Sequence, residues 1–393
     1  MCPAKKSRTG QRQSIGHPGD AVSPFREETM TTRRHFLKGA AATGIAFCSC
    51  GMLDAARAQG AAPRSTPVMV KGKRIKTVDV HAHCLFHESL NLLGAEEAAK
   101  ALPPTKGVPE HFIVIEQRLR EMDAMGIDME ILSINPFWYN RERDLAAQIV
   151  KVNNEKLAEL CAANPNRFGA FASLTLQAPD LAVQQLEDAV KKQGLRGAAI
   201  GASVVGQDFS DPKFHPVWAK AEELGAVLFI HPQSTPQLAQ RFKGNGWLSN
   251  TIGNPLDTTI ALQHLIFEGT LDRFPKLKVI AAHGGGFLPS YAARGDHACF
   301  VSPQNCNPDI QLKKKPSEYL NQLYFDAMVF TPEGLRHLAA QVGASQLMLG
   351  TDHPIPWEQH PVDHVFATDT LSDEQMAAIL GGNAARLFGM KDA

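Results

Sequence analysis

Much of what would mark this chain as a membrane, nucleic-acid or redox protein is missing from it. No apolar run is long enough to span a bilayer. Neither sign of charge is in excess, with Lys plus Arg and Asp plus Glu both at 40. Residues 1–58 hold nine of the basic and four of the acidic side chains, leaving 31 against 36 in the remainder. A mildly acidic body lacks the basic face that a nucleic-acid partner requires. Cysteine is scarce, and the four beyond residue 58 (Cys84, Cys161, Cys299 and Cys306) form no CxxC or zinc-finger spacing. An oxidising compartment would permit a Cys299–Cys306 bridge. No glycine fingerprint for a dinucleotide follows the first apolar run, which counts against a nucleotide-binding open sheet.

What is present begins with a leader. Thr31-Thr32-Arg33-Arg34-His35-Phe36-Leu37-Lys38 carries a twin arginine, residues 39–53 form a weakly apolar Ala/Gly-rich run, and Ala56-Arg57-Ala58 gives a small-x-small cleavage site. In that order these features read as a twin-arginine export signal, with Met30 as its start. They imply passage through the twin-arginine translocation machinery to the periplasm or medium, with no stable membrane anchor. Residues 59–74 read as a Pro/Ala/Arg linker.

From residue 75 to 393 one pattern repeats: a short apolar run, a loop, then an amphipathic segment. The runs are 75–81, 130–135, 168–174, 197–202, 226–231, 278–283, 323–329 and 346–351. Helical periodicity fills 113–125, 142–163, 179–193, 212–224, 255–267, 332–341 and 372–388, several opened by Asp, Thr or Pro at capping positions. Eight such units predict an α/β fold, a single (β/α)8 TIM barrel, with a doubly wound sheet as the alternative.

A barrel carries its chemistry at the C-terminal ends of its strands, and the polar residues fall there. The first run ends in His81-Ala82-His83, the fifth in His231-Pro232, the sixth in His283-Gly284-Gly285-Gly286, and the eighth in Asp352-His353-Pro354. Residues two apart on a strand share a face, so His81 and His83 enter one cavity. Imidazoles and a carboxylate at four strand ends suit Zn²⁺ or Mn²⁺ with a position left for water. The glycines after His283 permit a tight turn into a helix whose first amides could favour an anion, or they serve the turn alone. Phe137 and Trp138, after the second strand, offer either a substrate wall or packing against the rim.

These strand-end motifs, with Arg118-Leu119-Arg120-Glu121-Met122-Asp123, Phe274-Pro275-Lys276-Leu277-Lys278-Val279 and Arg294-Gly295-Asp296-His297, resemble the amidohydrolase superfamily. The likeness is to its branch of metal-dependent decarboxylases typified by aminocarboxymuconate semialdehyde and gamma-resorcylate decarboxylases. The resemblance implies His81, His83, His231 and Asp352 as ligands of one divalent metal, Zn²⁺ ahead of Mn²⁺. It implies His283 as the catalytic histidine beside the metal, with Asp352 as the other candidate proton relay. It further implies Arg294 as an arginine offered to the substrate carboxylate of a neighbouring subunit, hence a homodimer.

Binuclear members of the superfamily it resembles bridge their metals with a carbamylated strand-four lysine, and residues 197–203 hold none, so the resemblance implies one metal. The resulting expectation is a mononuclear non-oxidative carboxy-lyase for a small unsaturated or aromatic carboxylic acid. A hydrolase of a lactone, ester or amide is the alternative, and a metal-containing binding protein without turnover a third. The loop before strand two, residues 102–115, lacks the family's second substrate arginine and has only Lys106 as a cation. That shifts the expectation from the muconate substrate toward a phenolic acid.

Overall fold

A computed structural model describes residues 67–101, 112 and 114–390. The expected leader, the first half of the expected linker (residues 59–66) and Lys106 lie outside these residues. The last residues of the expected linker pair as an antiparallel hairpin, β1 (Met69–Val70) with β2 (Lys73–Arg74).

Eight parallel strands follow: β3 (Val78–His83), β4 (Met129–Ser133), β5 (Phe168–Ala170), β6 (Gly197–Ile200), β7 (Val227–Ile230), β8 (Lys278–Ala281), β9 (Leu323–Asp326) and β10 (Leu347–Met348). Each falls on an expected run. They pair as two arcs, β3-β4-β5 and β6 through β10. Isolated parallel bridges, Ala172 to Ala198 on one side and Asp79 to Leu349 and Ala82 to His353 on the other, link the arcs. This ring of parallel strands is consistent with a TIM barrel.

Between the strands lie helices, among them α1 (His87–Asn91), α2 (Ala95–Ala101), α3 (Ile115–Met125), α4 (Arg143–Ala163), α5 (Pro179–Lys191), α6 (His215–Leu224), α7 (Gly253–Phe267), α8 (Leu288–Gly295), α9 (Pro332–Val342) and α10 (Asn383–Phe388). The punctuation is local chemistry. Pro179 opens α5, the Thr331 hydroxyl accepts from the Gly334 amide to cap α9, and α3 and α6 end at the left-handed Gly126 and Gly225. No helix among the described residues is long and apolar enough to cross a membrane.

Two apolar clusters fill the molecule. The larger packs helices against the outside of the strands, and the smaller occupies the ring's interior with Val78, Val80, Ile131, Phe171, Phe229, Ile280 and Met348, joined by Leu387 and Phe388 of α10. The pairing of β3 with β4 slips between Asp79 and Ala82, where β3 carries one residue more than its partner. This is a β-bulge, and it re-aims everything beyond it. Val80 and His81, neighbours in sequence, both face inward, while Asp79 and Ala82 face the helices.

Candidate metal centre

At the C-terminal mouth of the strands five side chains converge. Ligand atoms of His81, His231, His283 and Asp352 all lie within 4.8 Å of one another. His83 Nε2 is 2.8 Å from Asp352 Oδ1 and 3.2 Å from His81 Nε2. His283, expected beside the metal rather than on it, thus stands within the cluster, its Nε2 3.9 Å from Asp352 Oδ2.

The donor atoms are prepared from behind. His81 Nδ1 hydrogen-bonds Asp326 Oδ2 at 2.7 Å, and His83 Nδ1 pairs with Ser133 Oγ at 2.8 Å, so each ring turns Nε2 toward the shared space. Both ring nitrogens of His231 and Nδ1 of His283 are buried without a hydrogen-bond partner. Buried imidazole nitrogens rarely stay unpaired, and a cation at the centre would satisfy those aimed at it. The donors, all nitrogen and carboxylate oxygen, suit a borderline divalent ion.

Electrostatics favour the ligating form at His231 and Asp352, while His81 is held protonated until an ion displaces its proton. Burial, reinforced by the neighbouring imidazoles, holds His231 well below the usual histidine range, in the neutral form that ligates. Burial would also lower His81, but Asp352 and Asp326 outweigh it and push the group up to about 10. Asp352 would be raised by burial, yet His81, with His283 and His83, keeps it well below the usual carboxylate range.

Asp326 was not singled out in the sequence. It interrupts the apolar run 323–329, and that lone carboxylate was the available signal; in the structure it closes β9. Besides His81 it accepts from the amides of His283 (2.8 Å), Gly284 (2.8 Å) and Met328 (3.2 Å). Asp326 thus binds the amides of the turn itself, not the first amides of α8, where an anion was expected. The turn requires glycine: a Cβ on Gly286, at φ 64°, would meet the Pro255 carbonyl at 2.1 Å.

A second group, assigned no role from the sequence, lies behind the ligands and includes Arg118 of α3. Arg118, fully buried, donates to the His83 carbonyl and to Glu130 Oε2 (2.6 Å). Glu130 Oε1 pairs with His353 Nδ1 at 2.7 Å, and His353 Nε2 with Glu121 at 2.9 Å. The His83 amide in turn donates to the His353 carbonyl at 2.6 Å. This chain ties the end of β3 to the segment bearing Asp352.

The substrate-facing expectations fare differently. Trp138 is completely buried and donates to the Leu174 carbonyl, so it is core and not a wall; Phe137 packs edge-on against it. An indole with its N–H satisfied inward has no reason to face a cavity. The cavity above the cluster, about 360 Å³, is instead walled by Trp247 and Trp357, stacked at 5.8 Å, with Asn135, Gln233 and Asn250 supplying polar contacts. Arg294 sits at the end of α8 beside a separate cavity of about 750 Å³, whose lining includes none of His81, His83, His231, His283 and Asp352. Cys299 and Cys306, on the same cavity, form a disulfide.

Comparison with known proteins places this geometry. The amidohydrolase family model matches residues 78–390. The 2-amino-3-carboxymuconate-6-semialdehyde decarboxylase of Dictyostelium discoideum is 32% identical over 70% of this chain and 76% of its own length. The gamma-resorcylate decarboxylase of Rhizobium radiobacter is 32% identical over 70% of this chain and 86% of its own. A crystal structure of the dihydroxybenzoic acid decarboxylase from Polaromonas sp. JS666, with bound manganese and the inhibitor 2-nitroresorcinol, superposes with a TM-score of 0.72 at 27% identity, covering 81% of this chain and 98% of that one. The chain belongs to the amidohydrolase family, in the branch of the aminocarboxymuconate semialdehyde and gamma-resorcylate decarboxylases.

Proposed function

We propose that this chain is a metal-dependent, non-oxidative decarboxylase of a small aromatic or unsaturated carboxylic acid. The observation that carries the reading is the convergence of four histidines and Asp352, with His231 unpartnered, beneath an aromatic-walled cavity. Its relatives' activities and the manganese in the Polaromonas structure support it. One divalent ion would be held by His81, His83, His231 and Asp352, with manganese or zinc both suited to the donors. When bound, such an ion supplies Lewis acidity for charge developing on the substrate.

The chain's own residues do the rest. Trp247 and Trp357 orient a planar ring and exclude water from one face. Asn135, Gln233 and Asn250 offer hydrogen bonds to phenolic or carbonyl oxygens. Asp352 and His283, 3.9 Å apart, form the proton relay: one proton goes to the ring carbon that bears the carboxylate, the carbon–carbon bond breaks, and CO₂ leaves. Asp326 holds the His283 backbone at φ 56° so that its ring meets Asp352.

Arg294 is proposed to reach the site of a second copy in a homodimer. Export is proposed from the leader motif, and a Cys299–Cys306 disulfide suits an oxidising destination. The test is elemental analysis of protein lacking residues 1–58, together with CO₂ release from a panel of hydroxybenzoates and unsaturated diacids. About one metal per chain and CO₂ evolved are expected. Acid release from esters or lactones without CO₂ would shift the reading to hydrolysis, and a chain that binds no metal would overturn it.

A further inference from the structure

We infer that the acid turned over here carries an apolar substituent beyond its reacting ring, and that a second chamber beside Trp357 receives it. The inference rests on the decarboxylase reading and deepens it. Two cavities meet at the mouth of the barrel. The 360 Å³ cavity contains His83, His231 and Asp352, whereas His283 lines its neighbour of about 290 Å³. Asn250, Asn254 and Trp357 line both. Because His283 and Asp352 are 3.9 Å apart yet face different cavities, a molecule whose reacting carbon lies between them extends into each.

The linings differ in chemistry. The first cavity presents Asn135, Gln233, Ser234 and Ser249 to polar ring substituents. The second is faced by Phe287, Met328, Val329, Phe330 and Trp357, and among its described lining residues none is Lys, Arg, Asp or Glu. Together they offer the room of a ligand larger than one ring, since pockets of about 300 to 1,000 Å³ take molecules of drug size.

Backbone geometry marks the same place independently. Phe330 (φ 64°) and Trp247 (φ 49°) are bulky residues in the left-handed region, which such side chains seldom adopt. Both pack on Trp357, Trp247 stacked at 5.8 Å and Phe330 tilted at 6.1 Å. Strain of this kind persists where the fold needs a side chain in one position, here the boundary of the two chambers. Phe330 is still 51% exposed and Phe287 37% exposed. An apolar substituent entering from the metal side would cover part of that surface.

The experiment compares kcat/KM, by CO₂ release, for dihydroxybenzoates carrying hydrogen, methyl, propyl or pentyl on the ring. Each fully buried methylene is worth roughly fourfold, so kcat/KM should rise about 15-fold from methyl to propyl, which adds two, chiefly through KM. Phe330→Asn keeps a residue that tolerates the left-handed backbone and should flatten the dependence on chain length. A flat series in the unaltered protein would overturn the chamber while leaving decarboxylation standing. No CO₂ from any member would instead remove the decarboxylase reading itself. The series with the unaltered protein decides the matter even if the variant fails to fold.

Discussion

Replacing Asp326 by Asn tests how the metal centre is held, because one oxygen is all that changes. Oδ2 accepts from His81 Nδ1 and the His283 amide, and Oδ1 accepts from the amides of Gly284 and Met328. Whichever way the Asn is placed, its NH₂ group confronts two buried N–H donors. Each donor left without an acceptor costs about 1–3 kcal/mol, so the metal-free protein should lose about 2–6 kcal/mol of stability. His81 also loses the carboxylate that makes its ring basic, and such outer-sphere changes weaken metal binding about 10- to 100-fold. Urea denaturation of the metal-free protein gives the first quantity, and competition with a chelator for manganese gives the second. Stability within about 0.5 kcal/mol of the parent, with metal affinity unchanged, would show that Asp326 does not hold the site.

Further expectations follow the same logic. Arg118→Met strips Glu130 of its guanidinium partner while His353 remains; breaking a buried pair should cost about 3–5 kcal/mol in denaturant unfolding, and Arg118→Lys should recover only part of it because one ammonium cannot reproduce the fork. Asp257, which accepts from the Gln233 amide, is pushed up to about 6, first by burial and then by Asp208 against the opposing Gln233 bond. Its folded form therefore holds a proton that the unfolded chain releases nearer pH 4. Stability falls as pH rises across that window and levels off above it; Asp257→Asn should reduce this slope in melts between pH 4 and 6, and an unaltered slope would refute the assignment. In unfolded, unreduced protein lacking residues 1–58, thiol titration should find two free groups, Cys84 and Cys161, and four only if the Cys299–Cys306 bridge does not form.

The eight strands and most of the long helices were legible because apolar runs and capping residues are local signals. Pro179, Thr331 and Gly225 end or open elements through their own backbone chemistry. The short helix α8 was not foreseen, and Phe137-Trp138 was offered as a wall or as rim packing. Aromatic type alone does not tell a buried indole from an exposed one. Trp247 and Trp357 stand more than a hundred positions apart, and nothing local joins them.

Sequence by itself determined that His81, His83, His231, His283 and Asp352 come at the ends of strands, since each closes an apolar run. Their common destination was settled only in three dimensions. Strict alternation from Val78 would have turned His81 and His83 outward with Asp79, toward the helices. The extra residue between Asp79 and Ala82 reverses that, and it becomes visible only when β3 is paired with β4. The carboxylates followed the same rule: Asp326 and Glu130 are single charges in apolar strands until folding sets His81 beside one, and Arg118 and His353 beside the other. Periodicity belongs to one segment, but a bulge or a buried ion pair belongs to two.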